Sequence, residues 1–174
     1  MRPVVEREKL LSFLEALARE TGGEASIFLT GGATALLYGW RETTIDVDLK
    51  ADPEPKRFFE ALAKLKEQLQ INLELASPDL FIPALPDWRE RSIFVVRHGE
   101  IDFYHYDLYG QALAKLERGH PRDLNDVEEM SRRGLVQAPL LSALFSAIKP
   151  ELIRFPAIEA DSFSETVESW CGNH

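Results

Sequence analysis

Two carboxylates near residue 47 have a spacing that suits metal and phosphate chemistry. Asp46 and Asp48 are separated by one residue within the alternating segment TIDVDLK, residues 44–50. Because successive side chains of a strand point to opposite faces, both carboxylates are expected on one face, with Val47 directed into the core. Oxygen ligands of this kind suit Mg²⁺ or Mn²⁺, which share phosphate oxygens with a substrate. Taken alone, the pattern also describes a solvated strand face with two ordinary charges.

A pair of glycines lies about 15 residues before these carboxylates. Gly31 and Gly32 follow the apolar run ASIFLT, residues 25–30, and precede a segment that suits a short helix. Glycines at such a position let backbone N–H groups approach an anion, and the start of the helix adds its positive dipole. Thr30 and Thr34 add hydroxyl donors. A tight turn that needs a positive φ is the alternative interpretation.

The order of the two features favours a joint role over two separate structural ones. A glycine turn would bind phosphates, and the aspartate pair would hold the metal ion that neutralises them. Arg41 lies between the two features and is a candidate phosphate ligand, with a plain surface charge as the alternative. A simple carboxylate metal hydrolase would leave the glycine turn unexplained.

The segment FLTGGATALLYGWRETTIDVDL resembles the polymerase-beta-type nucleotidyltransferases, in which Gly-Gly or Gly-Ser precedes an Asp-x-Asp pair on the next strand. It resembles more closely the bacterial nucleotidyltransferase-like proteins related to abortive-infection (AbiE-like) toxins of toxin–antitoxin systems. The later segment FYHYDLYGQALAKLERGHPRDLNDVEEM is similar to the same toxins. They carry a lysine in an Ala-x-Lys-Leu-like helix and then an Arg-Asp-x-x-Asp motif. The resemblance covers about residues 25–135.

This resemblance assigns roles to three further residues. Lys115 and Arg122 are expected to bind phosphates, while Asp126 supports catalysis by fixing one of these cations through a charge-assisted hydrogen bond. The local pattern alone describes Lys115 as a surface lysine of an amphipathic helix. It describes Asp123 as an acidic residue in the first turn of a helix, where the helix dipole favours it.

The superfamily usually has a third carboxylate on a later strand. Asp102, in GEIDFYHYD, is our candidate for this catalytic metal ligand, and Asp107 is the second choice. An ordinary hairpin charge is the alternative interpretation of Asp102. His105 and His120 lack metal-ligand spacing, so we expect structural or surface roles for both. Three aromatic residues could stack on a base, although core packing is the more common role of such residues: Trp88, Tyr104 and Tyr106.

The resemblance implies an Mg²⁺-dependent nucleotidyltransferase that binds a nucleoside triphosphate on the glycines, Arg41 and Lys115. The acceptor would be an RNA end, such as a tRNA 3′ end, or a protein hydroxyl, and the partner would be an antitoxin protein. The alternative is a catalytically inactive module of the same fold that serves as a partner-binding or regulatory subunit. The lack of a basic stripe and the acidic tail, which matches nothing in the resemblance, favour this alternative somewhat.

The elements that must position these residues follow from periodicity. We predict an α+β fold, α/β-like in its alternation, in which a small mixed sheet is flanked by helices and followed by a helical C-terminal section. The nucleotidyltransferase core would span 1–107 and the helical section 108–174, packed as one domain. The predicted helices are 5–20, one after the glycines, 55–69, 108–118, 122–133 and 137–148, with at most one short helix in the tail. The predicted strands are 25–30, 44–50, 71–76 and a hairpin over 92–107 that turns at His98-Gly99.

Composition excludes several classes of protein. The single cysteine, Cys171, rules out a disulfide framework and a thiolate zinc site. The first 20 residues carry charges inside their apolar pattern, unlike a signal peptide. No segment approaches the roughly 18 consecutive apolar residues of a membrane span, so we expect a cytoplasmic protein without a membrane partner.

Overall fold

The computed structural model describes residues 2–174 and has the α+β fold that the sequence predicts. The strands are β1 (Val5–Glu6), β2 (Ala25–Thr30), β3 (Thr43–Thr44), β4 (Asp46–Ala51), β5 (Asn72–Glu74), β6 (Ile93–His98) and β7 (Ile101–His105). The α-helices are α1 (Arg7–Glu20), α2 (Gly31–Tyr38), α3 (Phe58–Leu69), α4 (Trp88–Arg91), α5 (Leu108–Arg118), α6 (Pro121–Arg132), α7 (Ala138–Ile148) and α8 (Ala160–Gly172). Two 3-10 helices, Pro78–Leu80 and Lys149–Arg154, complete the elements. None of the helices within residues 2–174 is long and apolar enough to cross a membrane.

The chain forms two compact units, which are described separately. The first contains residues 2–77 and Ser92–His105, and the second contains Pro78–Arg91 and Tyr106–His174. The chain enters the second unit for the last time after His105, which is two residues before the boundary predicted after residue 107. The proline-rich segment belongs to the second unit although the sheet strands lie on both sides of it in the chain. Nothing local in the sequence indicated this assignment.

A mixed five-stranded sheet forms the centre of the first unit. Its order is β5-β4-β2-β7-β6. Strand β2 is antiparallel to β4 and parallel to β7, while β5 is parallel to β4 and β6 is antiparallel to β7. The short strands β1 and β3 pair separately in antiparallel fashion. The helix α3 connects β4 to β5, because two parallel neighbours require a crossover rather than a hairpin.

The core of the first unit follows from the periodicity of its elements. Helix α1 buries Leu10, Phe13, Leu14 and Leu17, which lie at helical spacing. Strand β4 buries Val47 and Leu49 and leaves the alternate positions partly exposed. Because a fully buried large apolar side chain contributes about 1.5–3 kcal/mol, this face fixes the register of β4. A shift by one residue would bury the aspartates instead.

The second unit is a group of helices. Helix α5 contacts α6, α7 and α8, and α7 packs against α8. The predicted helices over 108–118, 122–133 and 137–148 are confirmed to within about two residues at each end. The tail is more ordered than expected, because α8 buries Phe163, Val167 and Trp170 along one face.

His105 is buried in the first unit, as expected for a structural histidine. Its Nδ1 lies 3.0 Å from the hydroxyl of Thr34, and its ring stacks on Tyr38 with 4.7 Å between centroids. Burial lowers the pKa of His105 from 6.5 to about 4. The unfolded chain therefore takes up this proton before the folded one does, so His105 opposes folding as the pH falls through this range.

The difference in stability between the wild-type protein and His105→Phe should depend on pH. The substitution keeps an aromatic ring but removes the titrating group. At pH 7 the variant is less stable because the contact with Thr34 is lost. Between pH 6.5 and 4, protonation of this histidine in the unfolded chain lowers the free energy of unfolding of the wild type by up to about 3 kcal/mol. The variant has no such loss, so the difference in stability between the two proteins becomes smaller. Urea unfolding at several pH values measures it, with the exposed His120→Gln as control. A difference that stays constant from pH 7 to 4.5 contradicts the assignment.

Candidate functional site

The glycine turn joins β2 to α2 with a conformation that only small residues permit. Gly31 has φ 57°, and a Cβ on Gly32 would lie 2.0 Å from Thr44 Oγ1 and 2.7 Å from Thr44 Cβ. The start of α2 therefore packs directly on β3. The hydroxyl of Thr30 is used nearby, since it donates to the carbonyl of Ala76 at 3.3 Å.

Asp48 lies directly beside this turn. In the antiparallel pair of β2 and β4, Asp48 is the partner of Thr30, the last residue before the glycines. A Cβ added to Gly31 would lie 3.0 Å from Asp48 Oδ2, so glycine keeps open the space next to this carboxylate. The positive end of the α2 dipole stabilises negative charge at this position.

Asp46 lies on the same strand face as Asp48, as predicted, and contacts a residue of the neighbouring strand. In the parallel register of β4 and β5, Asp46 is paired with Asn72 and Asp48 with Glu74. The side-chain amide of Asn72 donates to Asp46 Oδ1 and, at 3.2 Å, to Glu74 Oε1. The edge of the sheet beside the glycine turn therefore carries three carboxylates and one amide.

Asn72 and Glu74 were missed at the level of sequence. The segment INLELA predicted a strand, and both residues have the same parity in it, which is a weak signal for a shared face. Their place opposite the aspartates depends on the pairing of β4 with β5. That pairing is a tertiary contact across α3.

The structure does not bring Asp102 to this group, which corrects its assignment as the third carboxylate. Asp102 pairs in register with Ser26 on β2, whereas Asp48 pairs with Thr30 on the same strand. Four residues along a strand correspond to about 13 Å, so the two carboxylates lie near opposite ends of β2. Asp102 instead forms an ion pair with Arg97 at 3.3 Å across the hairpin.

The second choice, Asp107, has a structural role in the second unit. It caps α5 by accepting the N–H of Tyr109 at 3.1 Å, and its Oδ2 accepts from Arg91 at 2.8 Å. Burial raises the pKa of Asp107, and the Arg91 guanidinium opposes this shift. A carboxylate with these two partners serves as a helix cap.

Two further predicted phosphate ligands of the first unit, Thr34 and Arg41, lie in different environments. Thr34 is fully buried, and its hydroxyl donates to the carbonyl of Leu29 at 3.3 Å and contacts His105. This corrects its predicted phosphate contact, because the hydroxyl belongs to the interior of the unit. Arg41 lies half-buried in the turn between α2 and β3, close in sequence to the glycines. Its phosphate role stays a prediction.

The second motif forms a buried ion-pair network between α5 and α6. Lys115 Nζ lies 2.8 Å from Asp126 Oδ2 and 3.5 Å from Asp123 Oδ1. Asp123 also accepts two hydrogen bonds from Arg118, at 2.7 and 2.6 Å. Burial alone would raise the pKa of Asp123, but the Arg118 hydrogen bonds and the Lys115 charge outweigh it and lower the pKa. The predicted hydrogen bond between the two residues is present, with Lys115 Nζ donating to Asp126 Oδ2.

The local expectation for Lys115 was wrong, since this lysine is buried and not on the surface. Its charge is compensated within the second unit by two carboxylates. Arg122 is exposed at the start of α6. The phosphate roles of Lys115 and Arg122 therefore stay predictions that follow from the resemblance.

Each aromatic residue considered for base stacking packs against another aromatic ring. Trp88 stacks on Tyr106 with 4.6 Å between ring centroids, and Tyr104 stacks on Phe28 with 5.3 Å. Burial raises the pKa of Tyr106. Tyr106 is buried and has the more common role of core packing, whereas Trp88 and Tyr104 are half-buried rings that pack on neighbouring aromatic side chains.

The donor set at the edge of β4 fits a magnesium ion that is completed by substrate. Asp46 and Asp48 supply carboxylate oxygens on one face, and the absence of a Cβ at Gly31 leaves space beside Asp48 Oδ2. Within residues 2–174, no group of three or more His, Cys, Asp or Glu side chains is arranged to hold a metal ion by itself. Mg²⁺ commonly uses one or two carboxylates together with phosphate oxygens and water, so two aspartates are sufficient.

A strand, a glycine turn into a helix, and an antiparallel strand with an Asp-x-Asp pair beside that turn define the nucleotidyltransferase class of fold. The chain belongs to the family described as nucleotidyltransferase of unknown function (DUF6036), whose family model matches residues 8–170. No curated protein and no solved structure matches the chain.

Replacing Gly32 by alanine tests the close approach of α2 to β3. The new Cβ would overlap Thr44, so the turn must shift at a cost of about 1–3 kcal/mol. Thermal or urea unfolding measures the loss. Gly172→Ala is the matched control, because a Cβ there meets nothing within 4 Å. Equal stability of the two variants would contradict the packing described for the turn.

Lys115→Met tests the buried network of the second unit. The substitution leaves Asp126 buried without the lysine charge, and the free energy of unfolding should fall by about 3–5 kcal/mol. The double variant Lys115→Met/Asp126→Leu should recover part of this loss. Chemical denaturation provides the measurement, with the exposed Arg122→Met as control. A loss no larger than that of the control would show that the network does not stabilise the unit.

Proposed function

We propose that this protein transfers a nucleoside monophosphate from a nucleoside triphosphate to a hydroxyl group, with Mg²⁺ or Mn²⁺ as cofactor. The single observation that carries the proposal is the closeness of the glycine turn to Asp48, where an added Cβ on Gly31 would come within 3.0 Å of Oδ2. Membership of a nucleotidyltransferase family supports the same reaction class.

The residues of the first unit have complementary roles in this proposal. The backbone N–H groups at the start of α2 bind phosphate oxygens, because the positive end of the helix dipole lies there. Asp46 and Asp48 hold the cation, which supplies positive charge for the triphosphate. The acceptor oxygen bonds to the α-phosphorus as the bond to the β-phosphate oxygen breaks, so pyrophosphate leaves and the hydroxyl proton passes to water. The protein contributes mainly positioning and electrostatic stabilisation.

We further propose that the acceptor is an RNA end, such as a tRNA 3′ end, or a protein hydroxyl. The support is the resemblance of both motif segments to toxin nucleotidyltransferases. A toxin of this kind would have an antitoxin partner, and its induced expression in a bacterium would arrest growth. Sequencing of RNA 3′ ends and mass spectrometry of proteins from the arrested cells would identify the acceptor.

A catalytically inactive, partner-binding module is the second candidate. It is favoured by the net charge of −9, which is a mild argument against the binding of nucleic acid. Such a module would bind no nucleoside triphosphate in the presence of Mn²⁺. Calorimetric titration with each of the four nucleotides separates the two candidates.

Asp48→Asn should have much lower transfer activity than the wild-type protein. The substitution keeps the shape of the side chain but removes the charge that holds the cation, so we expect the rate of transfer to fall by about 100-fold or more. The measurement is the incorporation of label from α-³²P nucleotides into total cellular RNA or protein with Mg²⁺.

Asp102→Asn is the matched control for this experiment, because it makes the same chemical change on β7, toward the other end of β2. It should retain activity within a few-fold of wild type. Label transfer that survives Asp48→Asn, or that is lost equally in Asp102→Asn, would contradict the proposed site.

A further inference from the structure

The side-chain amide of Asn72 joins two carboxylates from neighbouring strands. Its Nδ2 donates to Asp46 Oδ1 on β4 and to Glu74 Oε1 on its own strand, the latter at 3.2 Å. Asp46 and Asn72 are register partners, so the contact joins residues that lie opposite each other on the two strands. The NH₂ group has two hydrogens, which matches the two acceptors.

The chemical character of this residue fits its surroundings. Asp46, Asp48 and Glu74 project from adjacent positions of β4 and β5, and carboxylates in such proximity repel one another. A neutral amide donor reduces this repulsion without adding charge. An aspartate at position 72 would have the same shape but would add a fourth negative charge, and a leucine would offer no hydrogen to either oxygen.

We propose that Asn72 is a positioning residue for the metal site. Its amide donates to both Asp46 and Glu74 and thereby holds Asp46 in an orientation suited to metal binding. The inference rests on the proposed function and deepens it. With Oδ1 held by the amide, Asp46 would hold the cation through Oδ2. Glu74, which is exposed, is kept beside the aspartates and adds its negative charge to the site.

A positioning role and a merely structural role make different predictions for metal affinity. If Asn72 only stabilised the pairing of β4 with β5, its replacement would lower the melting temperature and leave metal affinity unchanged. If it positions the ligands, affinity changes in a direction that depends on the replacement. Residues that orient metal ligands typically affect metal affinity by 10–100-fold.

The test is a titration of the full-length protein with Mn²⁺ alone, followed by the EPR signal of free Mn²⁺. For Asn72→Leu, which removes both hydrogen bonds at similar volume, we expect Mn²⁺ affinity to fall at least about 10-fold. For Asn72→Asp, we expect affinity to rise above that of wild type, because the added carboxylate attracts the cation. We also expect the Asn72→Asp melting temperature in EDTA to fall and to recover on addition of Mn²⁺.

Asn125→Leu is the matched control, since Asn125 is exposed on α6 in the second unit and the chemical change is identical. It should bind Mn²⁺ as the wild type does. If Asn72→Leu does not fold, which circular dichroism detects, Asn72→Ala decides the question, because it removes the same two hydrogen bonds with a smaller side chain. A fall in affinity of at least about 10-fold then supports the inference, and an unchanged or higher affinity overturns it.

The failures of the two proposals are distinguishable. If the wild-type protein binds Mn²⁺ and Asn72→Leu binds it equally well, the positioning role is wrong and the proposed metal site stands. If the wild-type protein binds no Mn²⁺ at all, the proposed metal site is wrong, and the role of Asn72 falls with it.

Discussion

The first unit depends on one close packing contact, between the start of α2 and strand β3. A single Cβ at Gly32 would lie 2.0 Å from Thr44 Oγ1, so the helix can pack this closely only because the residue is glycine. Thr44 in turn donates to the carbonyl of Asp46 at 3.0 Å, at the first residue of β4. The contact therefore links the backbone N–H groups of the turn to the strand that carries the carboxylates. The proposed binding of a triphosphate and a metal requires this proximity.

Negative charge is managed in different ways in the two units. In the second unit, Asp123 and Asp126 are buried and neutralised by Lys115, with Arg118 as a further donor. In the first unit, Asp46 and Asp48 are partly buried and Glu74 is exposed, and the amide of Asn72 joins Asp46 to Glu74. A buried network with its own cations holds helices together. A partly exposed group of carboxylates can attract a cation from solution, which is the property that a metal site needs.

Much of the fold could be predicted because its signals are local. Helical spacing of apolar residues located α1, α3, α5, α6 and α7, a short apolar run located β2, and strand patterns located β4 and the hairpin. The same rule placed Asp46 and Asp48 on one face. It could not place Asp102, because alternation tells which face a residue lies on and not which end of the sheet it reaches. Thr34 was misjudged for a related reason, since burial beneath a helix depends on what packs there.

The sequence by itself determined the pair of glycines, the pair of aspartates and the elements that carry them, because turn geometry and side-chain alternation are properties of short segments. Only the tertiary structure decided which residues join the aspartates. Asn72 and Glu74 reach them through the parallel pairing of β4 and β5, which lies across a helical crossover and has no local signature. The burial of Lys115 against Asp126 was likewise decided by the packing of α5 on α6, which no single helix specifies.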